Sequence, residues 1–113
     1  MTASTYIQTA AATAILVIGS RSGLVLCPFF GKCDGVLLIE QEGKSTEFHD
    51  RDRSGAKSLC DLILELKPGG LVCGFICETE KRRLCDAGVD VRLGSCSCSI
   101  DELFVRFHDL PRA

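Results

Sequence analysis

The sequence contains no apolar run of the ~20 residues that a bilayer crossing takes. Its longest early candidate, Ala10 to Ile18, stops at Gly19-Ser20, and no Lys or Arg precedes it, the first basic residue being Arg21. A secretory signal carries a basic region ahead of its apolar core, so neither a membrane span nor an export signal is expected. The chain reads as cytoplasmic, with its thiols reduced. Cationic excess is missing too. Thirteen Lys and Arg against fifteen Asp and Glu leave a formal net charge of -2 and a pI near 5.6. That argues against the positive face nucleic-acid binding requires, and Lys81-Arg82-Arg83 reads as the solvated side of a helix. No repeat, low-complexity tract or Pro/Gly linker divides the 113 residues. One domain is therefore expected, with Met1 to Thr9 a small, polar, flexible lead-in and residues 10–113 a single cofactor-binding type of α/β domain.

What the chain has in excess is cysteine, eight residues in all. Secreted domains of such density are commonly held by disulfides because their cores are too small. Here 46% of residues are hydrophobic, and a domain of this length buries roughly two thirds of its unfolded surface unaided. The fold does not need the cysteines as staples.

Hydrophobic periodicity gives the order β-β-β-α-β-α-β-α. Ala14 to Ile18 is a β-branched-rich run that reads as a strand buried on both faces, with Gly23 to Leu26 a short extension after a turn. Val36 to Ile39 is the second strand; Glu42-Gly43-Lys44 looks like a hairpin, and Ser45 to His49 a third, polar edge strand. Leu59, Leu62, Ile63 and Leu66 fall on one helical face behind a Ser54 cap, and Pro68-Gly69-Gly70 stops that helix. Leu71 to Ile76 reads as a central strand, Glu78 to Ala87 as a helix ended by Gly88, and Val89 to Leu93 as a half-buried strand. Ser99 and Glu102 form a capping box for a last helix with Ile100, Leu103, Phe104 and Phe107 on one face. Short connections make the first three strands an antiparallel meander, and helical crossovers make the last two parallel. The prediction is a five-stranded mixed sheet, order 3-2-1-4-5, with helices on its faces.

Several of these segments, taken in order, match a known pattern. Pro28-Phe29-Phe30-Gly31-Lys32-Cys33 follows the first strand and precedes an apolar strand; a later apolar strand ends in Gly74; Leu84-Cys85-Asp86-Ala87-Gly88-Val89-Asp90-Val91 joins a helix to a strand; Ile100-Asp101-Glu102-Leu103 opens the last helix. Over residues 12 to 108 this resembles the dinitrogenase iron-molybdenum cofactor biosynthesis family (NifX/NafY-like). The resemblance implies an RNase H-like three-layer α/β fold. It also implies a non-enzymatic protein that binds an iron-sulfur or iron-molybdenum-type cluster transiently, taking it from donor proteins and passing it to acceptors in nitrogen fixation. The family commonly has a His before its Phe-Gly pair, where this chain has Phe29, so a role for that imidazole is not carried over.

The expected topology sends the loops after strands one, four and five to one edge, where open α/β sheets bind ligands. Those loops hold Cys27 and Cys33, Cys77, and Cys96 and Cys98, with Arg21 and Lys32 beside them. Helix N-termini near Glu78 and Ser99 would add backbone N–H groups and partial positive charge for an anionic cluster. Thiolates suit iron, copper(I) and zinc, and Cys33, Cys77 and Cys96 are the candidate metal ligands. Their spacings match neither a zinc ribbon nor a ferredoxin. Cys60, Cys73 and Cys85 read as core packing, Cys98 as either a ligand or a staple against Leu103, and one of Phe29 and Phe30 as a gate over the edge.

An alternative is a thiol redox or sensing module using Cys96 and Cys98. A nuclease is excluded, because Ala14 to Ile18 and Leu71 to Ile76 carry no carboxylate to hold divalent ions. Gly19 to Gly23 lacks a P-loop ending and reads as a turn, and His49 and His108 as structural or solvent-facing. No catalytic pair or triad can be placed. Oligomeric state is left open.

Overall fold

The computed structural model describes residues 12–21, 23–40, 45–51 and 58–113. Among these residues six strands and three helices follow one another as β1 (Thr13–Ser20), β2 (Gly23–Leu26), β3 (Gly35–Ile39), β4 (Thr46–Asp50), α1 (Leu59–Leu66), β5 (Gly70–Cys73), α2 (Glu78–Asp86), β6 (Asp90–Leu93) and α3 (Ile100–Val105). The sheet runs β4-β3-β1-β5-β6, with β2 added to β1. β1 pairs antiparallel with β3 and parallel with β5, and β5 parallel with β6. The order expected for the five strands read from the sequence is the observed one, and the two most apolar strands lie side by side at the centre.

Among the described residues the sheet has six strands rather than the five expected. β5 has four residues and pairs with β1 at Thr13 to Ile15, leaving the upper half of β1 open. The segment read as an extension, Gly23–Leu26, folds back there and pairs with Val17 to Ser20. It lies on the β5 side: the Leu16 carbonyl accepts from Cys27 N–H at 2.9 Å, while the next carbonyl, Val17, accepts from Asp34 N–H at 2.8 Å toward β3. Successive carbonyls along a strand point to opposite edges. β5 is also shorter than predicted, ending at Cys73 rather than Ile76.

Alternation along β1 divides the core into two layers. Ala14 and Leu16 face one side with Leu71, Cys73 and Val91, covered by Leu59, Cys60 and Ile63 of α1 and Leu84 of α2. Ile15 and Val17 face the other with Val72, Leu37 and Ile39, covered by Leu103 of α3 and by Phe107 beyond it. Full burial of each such Leu or Ile contributes about 1.5–3 kcal/mol. The four residues expected on the face of α3 all reach this second layer, although Phe107 lies on the 3-10 turn that follows the helix.

Helix starts follow local chemistry. Ser58 caps α1: its hydroxyl accepts from Asp61 N–H at 3.1 Å and the Asp61 carboxylate accepts from Ser58 N–H at 3.4 Å. Ser54, the expected cap, the 42–44 hairpin and the Met1 to Thr9 lead-in lie outside the described residues. Lys67 closes α1 in the left-handed region at φ 55, ahead of Pro68. On α2, Glu78 pairs with Lys81 at 3.0 Å and Arg82 at 3.4 Å, and Arg83 pairs with Asp61 across to α1. The expected box at α3 is half made. Ser99 accepts from Glu102 N–H at 3.1 Å, while the Glu102 carboxylate turns along the helix to Arg106 at 3.4 Å. Among the described residues no helix is long and apolar enough to cross a membrane.

Candidate functional site

β3 is antiparallel to both β1 and β4, so β4 runs in the same direction as β1, β5 and β6. The chain leaves all four strands at one edge of the sheet. Arg21 follows β1, Arg51 and the start of α1 follow β4, Gly74–Cys77 and α2 follow β5, and Cys96–Ser99 and α3 follow β6. Three helix N-termini thus open at this edge, one more than the sequence reading placed there. The extra one is α1, whose signal was Ser58-x-x-Asp61.

Between β2 and β3 the chain runs beside the end of β5. Phe30 N–H donates to the Phe75 carbonyl at 2.8 Å and Phe75 N–H donates to the Pro28 carbonyl at 2.7 Å, a parallel bridge of Phe29 with Phe75. Such close approach demands Gly74, because a Cβ there would collide with the Pro28 carbonyl. The two bonds fix Phe29 and Phe75 in solvent, 53% and 68% exposed, with ring centroids 6.4 Å apart and planes at 65°. Phe30 turns inward and is buried in the first core layer. The aromatic left at the edge is therefore Phe29, and its neighbour is Phe75, a residue whose apolar run predicts a buried strand. Gly74 inside that apolar run was the signal for it. Arg51 holds the far side of the segment, donating from one guanidinium nitrogen to the Gly31 carbonyl at 2.6 Å and to that of Cys33 at 3.5 Å.

The thiols divide differently from the expectation. Cys27 and Cys33 lie in the loop segment as predicted, yet their side chains are buried with Cys60 and Cys73 in the first core layer. Burial pushes the Cys33 thiol up to about 11 against the opposing pull of Arg51, and pushes Cys73 up to about 12. Cys60 is raised by burial as well. Cys27 donates its S–H to the Phe29 carbonyl at 3.1 Å. Cys85, expected in the core, is exposed. Leu84 takes the inward position on α2, and one residue further turns the side chain by about 100°. Cys98 is half-buried against the second layer, as a staple would be.

Cys77 and Cys96 are exposed on the carboxyl edge, as are Arg21 and Lys32. Cys77 is the residue before the first turn of α2, and its thiol donates to the Glu80 carboxylate at 2.8 Å. Cys96 sits in the turn after β6, beside Ser95 and Ser97, whose hydroxyls are 2.7 Å apart. Among the described residues no three His, Cys, Asp or Glu side chains gather so as to hold a metal ion. The chemistry on offer is an aromatic pair fixed by backbone bonds, exposed soft donors, and helix N-termini that favour anions. Native protein treated with a thiol reagent should label Cys77, Cys85 and Cys96 rapidly and Cys98 more slowly. Cys27, Cys33, Cys60 and Cys73 should react after denaturant is added, as peptide mass spectrometry of the labelled sites would show.

No family model and no curated protein sequence matches the chain. Solved structures do. The apo form of the orange protein from Desulfovibrio gigas superposes with a TM-score of 0.78 at 19% identity, over 95% of this chain and 96% of that one. A candidate dinitrogenase protein from Methanocaldococcus jannaschii gives 0.72 at 17% identity, over 94% and 97%. A candidate NifB protein from Thermotoga gives 0.68 at 16% identity, over 88% of each chain. At these identities the likeness establishes a shared fold.

Proposed function

We propose that this protein is a non-enzymatic cytoplasmic carrier of an anionic metal-sulfur cofactor of the iron-sulfur or iron-molybdenum type. It binds that cofactor transiently at the carboxyl edge of the sheet and exchanges it with donor and acceptor proteins of nitrogenase-type cofactor assembly. The observation that carries the reading is the Phe29–Phe75 pair. Two large apolar side chains are held in solvent by rigid backbone bonding, at the edge where open α/β sheets take ligands and where α2 opens at an exposed thiol. Among proteins of the same fold are one studied in an apo form and candidates for NifB and dinitrogenase proteins, which supports a cofactor in that chemical class.

The residues present fit such a group in a particular way. Cys77 and Cys96 supply soft donors, Arg21 and Lys32 supply positive charge, and the aromatic pair shields one side from water. A full cage of protein thiolates does not assemble among the described residues. A cofactor gripped by few covalent ligands leaves readily, as a carrier requires, and Cys33 in the core would take part only after the loop opens.

Anaerobic incubation of the purified protein with ferrous iron, sulfide and molybdate tests this. A coloured protein that retains metal through desalting is expected, with less metal in Cys77→Ser and in Phe75→Ala. A colourless wild-type protein, or equal metal retention in wild type and both variants, would overturn the assignment.

A further inference from the structure

An open sheet has two outer strands, and this chain treats them differently. Beyond β6 its own last residues return as a cover, with Leu93 N–H donating to the Pro111 carbonyl at 2.8 Å, Ala113 N–H to that of Val91 at 3.0 Å, and Arg92 bridged antiparallel to Arg112. β4, at the other end of the order, pairs with β3 alone. Its bonding parity is fixed at both ends, because the Ser45 carbonyl accepts from Glu40 N–H at 3.0 Å and Arg51 N–H donates to the Asp34 carbonyl at 3.1 Å. Odd-numbered residues therefore turn their backbone groups to β3, while Thr46, Phe48 and Asp50 turn theirs outward. All three are exposed, and among the described residues no segment pairs with them.

Natural edge strands are commonly blunted by Lys, Pro or a bulge. Thr46-Glu47-Phe48-His49-Asp50 has neither residue and pairs with β3 in unbroken register. Phe48, whose ring lies over Gly35 of β3, is still 45% exposed.

We propose that β4 is a self-association edge, pairing antiparallel about a two-fold axis with β4 of a second copy of this chain and centred on Phe48. In that register the outward groups of the two Phe48 residues exchange both bonds, and Thr46 does the same with Asp50 of the other copy. The side chains select the same register. Phe48 meets Phe48 on one face, and on the other Glu47 stands opposite His49, in the non-hydrogen-bonded positions where side chains come closest. Centring on residue 47 would set Glu47 against Glu47, and centring on residue 49 would set His49 against His49 and Phe48 against Asp50. Of the three, the Phe48-centred pairing alone joins apolar to apolar and acid to base. Glu47 Oε1 and His49 Nε2 are already 3.2 Å apart within one chain, so two copies bring carboxylates and imidazoles together in alternation. A formal net charge of -2 opposes the approach only weakly. The pairing uses none of Phe29, Phe75, Cys77 or Cys96 and does not rest on the cofactor reading.

The test is sedimentation equilibrium of the full chain under reductant, so that exposed thiols cannot link copies. Monomer should give way to dimer between about 10 μM and 1 mM chain, as suits a contact smaller than a standard interface. Phe48→Lys should weaken dimerisation on the order of tenfold, with its thermal midpoint confirming an intact fold. Glu47→Lys alone sets Lys against His49, and His49→Glu alone sets Glu against Glu47, so each should also lose on the order of tenfold. Mixed together, these two variants should dimerise with each other at least as well as wild type, because every facing pair is then acid with base. A wild type that stays monomeric throughout would overturn the proposal and leave the edge to a strand of another protein. So would a dimer that survives Phe48→Lys unchanged, or a mixture that associates no better than either variant alone.

Discussion

Arg92→Met should lower the thermal midpoint by on the order of 10 °C, measured by calorimetry at neutral pH. The Arg92 side chain is 9% exposed and serves three structures at once. It binds both oxygens of Asp90, donates to the carbonyls of His108 at 3.2 Å and Leu110 at 2.9 Å, and lies 5.1 Å from the centre of the Phe107 ring. Those carbonyls belong to the segment that returns along β6 and covers the end of the sheet. Methionine replaces much of the apolar stem but leaves the carboxylate and two carbonyls without their donor, the expensive way to lose a hydrogen bond. Arg92→Lys should recover part of the loss, because a single ammonium cannot reproduce the fork.

The pH dependence of that pair has a definite sign. Arg92 holds the Asp90 carboxyl below its ordinary range. A carboxyl depressed in the folded state stabilises fully above its unfolded value of about 3.9, and the gain disappears as pH falls through the lower folded value. Wild type should therefore lose more stability than Arg92→Met between neutral pH and strong acid, narrowing the gap between their midpoints.

Much of the architecture could be read before the coordinates because it rests on long-range rules. Apolar runs identified β1 and β5 as central, and crossover constraints then left one economical order for β4, β3, β1, β5 and β6. What escaped depends on single residues. Gly23–Leu26 became a strand because β5 is too short to cover all of β1, a length mismatch that apolar patterning does not encode. In loops the side-chain period is lost, so Cys27 and Cys33 were placed on the correct segment with no means of seeing that they point inward with Phe30. On α2 the inward position went to Leu84 and left Cys85 to solvent, a difference of one residue. The carboxyl edge was legible as a place, while its most exposed aromatic, Phe75, was hidden inside a run that looks like a buried strand until Gly74 is given its steric meaning.

That meaning makes Gly74→Ala the sharpest test of how the edge is built. The added methyl would meet the carbonyl group of Pro28 and the carbonyl oxygen of Cys27, backbone atoms that cannot rotate away. Either β5 or the loop segment must move, at a cost of about 2–4 kcal/mol in urea denaturation, the upper range for overpacking a tight site. Relief by the loop is expected, since it is held by the two bonds to Phe75 and by Arg51, while β5 is locked between β1 and β6. Cys27 and Cys33 should then label in the native state, with Cys60 and Cys73 still protected. Gly31→Ala is the matched control: nothing lies within 4 Å of its Cβ position, so it should change stability and labelling little. If all four buried thiols become reactive together in Gly74→Ala, the loop is part of the cooperative core and the Phe29–Phe75 pair cannot open independently of the fold. If Cys27 and Cys33 alone respond, the segment is a separately hinged element. In that case the proposed carrier role predicts that metal retention after reconstitution falls in Gly74→Ala and persists in Gly31→Ala, which leaves the anchored aromatic pair in place.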